Sequence, residues 1–248
     1  MRALIVTAVA AEADSVAAGL TPHPDPAVPE PRTLPGGYAV LRRDLPGLAA
    51  DVLAGGVGPA AAAAATATAL ALGDYALVVS AGIGGGFQAA APPGSLVVAD
   101  AIVAADLGAE TADGFVPVQE LGFGRSVHLP PAELAAQAAE AAGALAAPVL
   151  TVSTVTGTAE RAAALAARHP LAGAEAMEGF GVAEAAAAHG LPVLEVRGIS
   201  NAVGPRDRDA WRIGDALAAL TAGFRALGPV LVHWGEQHEH RREHRGRP

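Results

Sequence analysis

Short apolar runs alternate with alanine-rich helical stretches along most of this 248-residue chain, and that alternation limits the folds open to it. Strands are predicted over Ala3–Val9, Tyr38–Arg43, Asp51–Ala54, Tyr75–Ser80, a pair within "GSLVVADAIVAADLGAE", Val149–Thr154 and Leu191–Ile199. Between them the pattern reads as helix over Ala10–Leu20, through the alanine run to Leu72, and over Pro131–Ala146, Ala159–Ala167, Met177–His189 and Asp209–His233. Such alternation gives an α/β fold with a central, twisted, largely parallel (mixed) sheet flanked by helices. The length suits a single domain, set at residues 1–232. Within it "TPHPDPAVPEPRTLPGG" (21–37) is expected to be an exposed loop, and the His- and Arg-rich residues 233–248 a disordered tail.

Composition narrows the function. Hydrophobic residues make up 52% but aromatics only 4%, so the core must be built from Ala, Val and Leu. A net charge of -9 argues against a nucleic-acid groove or an anionic membrane surface as partner. No apolar run stands out as a membrane helix. The absence of cysteine excludes disulfides, thiolate nucleophiles and Cys-based metal sites, and suits a cytoplasmic protein. "MRALIVTAVAAEADS" reads as a buried first strand rather than an export signal, because one cation and Glu12 are poor flanks for one.

Ligands of open α/β sheets sit beyond the carboxyl ends of the strands, so polar residues just after strands are the candidates for chemistry. Glu12 follows the first strand, and Glu178 lies in "AMEGFGVA" at the start of an apolar helix. Either carboxylate also has a structural explanation, since a helix N-terminus favours negative charge. Glu175 and Glu184 read as surface charges. The glycine turn in "YALVVSAGIGGGF" brings Ser80, Ala81 and Gly82 to the end of a buried strand, and "VLEVRGISNAVG" ends another strand on Ser200 and Asn201. "SAGIGGGF" is not a dinucleotide fingerprint, because Phe87 stands where the last glycine belongs and two prolines follow in place of a helix. With no Walker, HExxH or GxSxG motif either, neither metal nor cofactor is expected. The residues alone point to an α/β enzyme for a small molecule, with carboxylates at its strand ends.

Five segments, in order, resemble the purine nucleosidase and nucleoside phosphorylase superfamily: "LIVTAVAAE", "AGGVGPAAAA", "VVSAGIGGGF…GSLVVAD", "AMEGFGVA" and "VRGISNAVG". Pro59 stands where that superfamily has Lys, Ser95 where it has Asp, and Asn201 where methylthioadenosine nucleosidases have Asp. "ADLGAE", "TVTGTAER" and "SNAVGPRDRDAW" are most similar to its futalosine hydrolase branch. The resemblance implies a three-layer nucleoside phosphorylase-like fold and hydrolysis of a nucleoside, releasing hypoxanthine from futalosine in menaquinone biosynthesis. In that role Glu12 would activate water, Glu178 would take the ribose hydroxyls, and Met177 would pack beneath the sugar. Ser80–Gly82, Val155 and Thr156 would border the base, with Asn201 reading it. The phosphorylase branch carries arginines that find no counterpart after the first strand or before the glycine turn, which favours water over phosphate as nucleophile. Arg125, Arg206 or Arg208 would meet the benzoate of futalosine, with Phe115 and Phe123 flanking its ring, and the loop holding Arg125 implies a homodimer. A methylthioadenosine/S-adenosylhomocysteine or aminofutalosine nucleosidase, and a nucleoside-binding protein without turnover, are the alternatives.

Overall fold

The computed structural model describes residues 1–21 and 31–245, with 238–245 as helix backbone alone. In chain order the elements are β1 (Arg2–Thr7), α1 (Ala10–Gly19), β2 (Arg32–Leu34), β3 (Tyr38–Leu45), β4 (Leu48–Ala54), α2 (Pro59–Leu72), β5 (Leu77–Gly86), β6 (Leu96–Ala104), β7 (Gly108–Thr111), β8 (Gly114–Pro117), β9 (Val127–His128), α3 (Ala132–Ala142), β10 (Leu145–Thr151), α4 (Ala159–Arg168), β11 (Ala174–Ala176), α5 (Gly179–Ala188), β12 (Val193–Ala202) and α6 (Ile213–Arg245). The main sheet runs β11-β10-β6-β12-β5-β1-β4-β3-β2, with β9 beside β6 and a separate β7–β8 ribbon. It is mixed: β4, β1, β5 and β12 run parallel at its centre, as do β6, β10 and β11, whereas β2, β3 and the β6–β12 and β5–β11 contacts are antiparallel.

β5 decides the shape. Leu77 to Ser80 pair with β1, while Gly85 and Gly86 swing across to β11. The strands β5, β11, β10, β6 and β12 thereby close into a ring. The expected glycine turn is in fact the second half of this strand. Glycine is needed there because a Cβ at Gly86 would overlap the carbonyl oxygen of Ala91.

Both faces of the sheet are covered by apolar helices. α2 and α5 pack on one through Ala62, Ala65, Ala69, Val182, Ala183 and Ala186. On the other, α1, α3 and α6 bury Val16, Leu134, Leu220, Phe224, Leu227 and Leu231. Small alanine methyls let these helices approach closely, which is how a core with few aromatics reaches close packing. α6 is long and apolar enough over Ile213–Gln237 to span a bilayer by length and composition, yet its Leu220, Phe224, Leu227 and Leu231 stripe is buried in the protein.

The chain also departs from the sequence reading at its tail, in the proline-rich segment and at the end of α3. α6 begins at Ile213 and continues to Arg245, so helix occupies most of the segment expected to be a disordered tail; 246–248 lie outside the described residues. Of the proline-rich segment 21–37, residues 22–30 also lie outside them, and Arg32–Leu34 is a strand rather than loop, paired with β3. The helix expected to reach Ala146 stops at Ala142, where Gly143 adopts the left-handed conformation (φ 59°) and turns the chain into β10.

Candidate active site

The carboxyl ends of β1, β5 and β12 open into one cavity of about 390 Å³, within the range of small-molecule sites. Glu12 lies in the first turn of α1, and its side chain curls back. Oε2 accepts the backbone N–H groups of Ala8 (2.9 Å) and Val9 (3.2 Å), and Oε1 accepts that of Ile83 (2.8 Å). A carboxylate three positions into a helix naturally reaches the N–H groups at its start. This one also ties α1 to β5. A carboxylate has about four acceptor positions, so one is left on the cavity side.

Glu178 caps α5 from the opposite wall. Its Oε1 accepts the N–H of Gly58 (3.1 Å), and Oε2 accepts the N–H of Met177 (3.3 Å) and Nη1 of Arg197 (3.2 Å). Arg197 is completely buried. Its Nε donates to Glu195 (2.8 Å) and its Nη2 to the hydroxyl of Ser80 (2.9 Å). Burial works to discharge this guanidinium, but Glu195, Glu178 and Glu12 outweigh it and hold its pKa above the usual value. Glu12 and Arg197 meet above Gly82, where a Cβ would come 2.7 Å from Arg197 Nη1 and 2.8 Å from Glu12 Oε1. Any other residue at 82 would push the two apart.

Asn201 reaches the cavity through a bulge. Ile199 pairs with Gly84 and Asn201 with Gly85, so Ser200 is an extra residue in β12. Such an insertion re-aims the following side chain, and Ser200 and Asn201 both line the cavity. Glu175, read from sequence as a surface charge, is buried and also lines it, accepting the N–H (2.7 Å) and the hydroxyl of Thr156. Glu184 is more open and pairs with His128 at 2.8 Å.

Val155, Thr156 and Met177 line the cavity as well. The wall given by β5 is Ile83–Gly85; Ser80, Ala81 and Gly82 do not line the cavity, and Ser80 serves Arg197 instead. Arg125 does not reach it either; it is 61% exposed and 3.7 Å from Glu184. Arg206 does, together with Trp211, whose ring centroid lies 5.4 Å from the Arg206 Cζ. Arg208 is exposed, 5.9 Å from the same ring. Phe123 is exposed, and Phe115 lies under Arg168, so neither flanks this cavity. Arg42 pairs with Asp44 and Asp51, and Arg43 donates to Ala17 and Thr21, so both are held elsewhere.

A family model described as the phosphorylase superfamily matches residues 2–225. The futalosine hydrolase of Streptomyces coelicolor is 61% identical over 94% of this chain and 98% of its own length. The chain belongs to the phosphorylase superfamily and, within it, to the futalosine hydrolase family. A second member, the futalosine hydrolase of Acidothermus cellulolyticus, is 48% identical, with 95% of this chain and 93% of that protein covered. The fold also superposes on the 5′-methylthioadenosine/S-adenosylhomocysteine nucleosidase of Colwellia psychrerythraea, in complex with adenine. The TM-score is 0.77 at 22% identity, over 94% of this chain and 95% of the other.

Set in this futalosine hydrolase family, the residues that sequence reasoning left without a role are Trp211, Glu175, Glu195 and Arg197. Trp211 and Arg197 stand inside quoted motifs but carry no spacing signal of their own. Glu175 and Glu195 are charges in apolar surroundings, a pattern that marks burial only once a partner is known.

Proposed function

We propose that this chain hydrolyses the N-glycosidic bond of futalosine, releasing hypoxanthine. The observation that carries the reading is the meeting of Glu12, Glu178 and Asn201 on the walls of one cavity. The free acceptor position of Glu12 holds a water and takes its proton as the water oxygen bonds to C1′, general-base help worth about 10²–10⁴-fold. The C1′–N9 bond breaks and its electron pair leaves with the purine, which takes up a proton from solvent as Glu12 returns its own. Positive charge grows on the sugar as in other glycoside cleavage. The Glu178 carboxylate accepts hydrogen bonds from the ribose hydroxyls that strengthen as this charge develops, favouring the transition state. Met177 packs beneath the sugar, while Val155 and Thr156 border the base.

Asn201 donates an N–H to N7 or O6 of the departing base. A 6-oxopurine accepts that hydrogen bond and carries negative charge more readily than adenine does. The Arg206 guanidinium, the one arginine among the described lining residues, meets the benzoate carboxylate in a charge-assisted pair. Among the described residues no second cation lines the wall, which supports water rather than phosphate as the nucleophile. We further propose a cytoplasmic homodimer working in menaquinone biosynthesis. Family resemblance supports this, as do the exposed Phe123 and Leu129 around the loop that bears Arg125.

The test is base release in phosphate-free buffer from futalosine, aminofutalosine, methylthioadenosine and inosine, each alone, with products separated by chromatography. Hypoxanthine from futalosine is expected. Release of adenine instead would move the chain to a nucleosidase of aminopurines, and release that requires phosphate would make it a phosphorylase. Sedimentation equilibrium tests the dimer.

A further inference from the structure

Glu195 sits two residues before Arg197 on β12 and is completely buried. It does not line the cavity, so it touches no substrate. Its Oε1 accepts Arg197 Nε at 2.8 Å, while its Oε2 is buried with no hydrogen-bond partner among the described residues. A buried carboxylate with one oxygen unpaired carries a desolvation cost, and a buried ion pair is weak evidence of a role in stability alone. What it does achieve is orientation. A guanidinium is a planar fork. With Nε pinned by Glu195, the plane can only present Nη1 to Glu178 and Nη2 to Ser80, as observed.

The same carboxylate is braced against the helix that carries Glu178. A Cβ added at Gly179, the residue after Glu178, would overlap both Glu195 oxygens. Glu195, Arg197 and Glu178 are thus packed in series behind the ribose face. Burial pushes the Glu195 carboxyl up, against the pull of Arg197.

We propose that Glu195 is a positioning residue for the glycosidic cleavage, fixing the rotation of Arg197 and through it the Glu178 carboxylate that receives the ribose hydroxyls. The inference rests on the nucleosidase reading above. Glu195→Gln keeps an acceptor for Nε; Glu195→Leu removes it; Glu195→Asn keeps the polarity but is one carbon too short to reach. Each variant is assayed for kcat and KM on futalosine and on its 2′-deoxy analogue, with thermal unfolding alongside. The Gln variant is expected to hold kcat within about threefold. The Leu and Asn variants should lose about tenfold or more in kcat, the scale of one charge-assisted hydrogen bond, with little change in KM. Their penalty for the missing 2′-hydroxyl should shrink, because a misplaced Glu178 no longer reads it. If Leu does not fold, Asn decides. A 2′-deoxy penalty that stays at the unaltered protein's value, or a Gln variant as damaged as Asn, overturns the role of Glu195 alone. No base release by the unaltered protein overturns the nucleosidase reading and this inference together.

Discussion

The Ala202 carbonyl fixes which way the Asn201 amide faces. Asn201 Nδ2 donates to the carbonyl of Ala202 at 2.9 Å, a partner that can only accept, so Oδ1 must lie toward the Ser200 hydroxyl, 2.8 Å away. That hydroxyl gives its one hydrogen to Oδ1 rather than to the more distant Gly84 carbonyl, 3.2 Å away. One amide hydrogen is taken by Ala202, and one remains for a ligand. An aspartate at 201 would repel the Ala202 carbonyl unless protonated, so the choice of amide is built into the strand end.

Asn201→Asp is accordingly expected to reverse the base preference. Hypoxanthine release should fall and adenine release from aminofutalosine rise, moving the ratio of the two by about 10- to 100-fold, the usual worth of one base-edge contact. Competition between the two nucleosides in one vessel measures that ratio directly. An unchanged ratio would remove Asn201 from base reading.

Glu12→Gln should abolish base release while leaving binding intact. Gln still occupies the space above Gly82 and can keep its oxygen on the N–H groups of Ala8 and Val9, giving up the bond from Ile83, but it takes no proton from water. Quenching of Trp211 fluorescence on titration with futalosine reports binding, and chromatography reports turnover, expected to fall by about 10²–10⁴-fold. Undiminished turnover would place the base elsewhere.

Arg206→Met should separate substrates by charge. KM for futalosine is expected to rise by roughly 10- to 100-fold, as for a lost charge-assisted hydrogen bond, while kcat/KM for inosine, which has no carboxylate, stays level. Equal losses on both would assign Arg206 to holding Trp211 rather than to the ligand.

Stability should fall at high pH through Tyr75. Its hydroxyl is buried and donates to Asp51 at 2.7 Å, and burial first, then this hydrogen bond and the Asp51 charge, push its pKa up to about 12. An unfolded tyrosine ionises near 10, so between these values the unfolded chain sheds a proton that the folded one keeps. The contribution is complete below about pH 10 and is lost as pH rises to about 12, on the order of 2 kcal/mol. Urea unfolding from pH 9 to 12 should show that loss in the unaltered protein and a shallower one in Tyr75→Phe.

The parts of this molecule that could be read from sequence are those that depend on local pattern. Apolar alternation located β1, β3 and most of the helices, and Glu12, Glu178 and Asn201 stood out as polar groups at element ends. Long-range pairing was hidden. β11 is three residues long and exists because β10 and β5 flank it. The Gly84–Gly86 stretch looked like a turn because nothing local tells a bent strand from one. Glu175 was taken for a surface charge since Thr156, its partner, lies 19 residues away, and of Arg125, Arg206 and Arg208, the three arginines offered for a carboxylate, Arg206 lines the cavity and Arg125 does not.

The closed ring of β5, β11, β10, β6 and β12 bears on how molecules of this protein can meet. Each of those five strands already has a neighbour on either side, and they include the two that deliver Asn201 and Glu175. Among the described residues the path of the sheet ends at β2, beyond β1, β4 and β3, and β9 pairs on one side alone, with β6. An unpaired strand edge is where one chain adds to another. Strand-to-strand addition at β2 would therefore lengthen the wing and leave the cavity untouched.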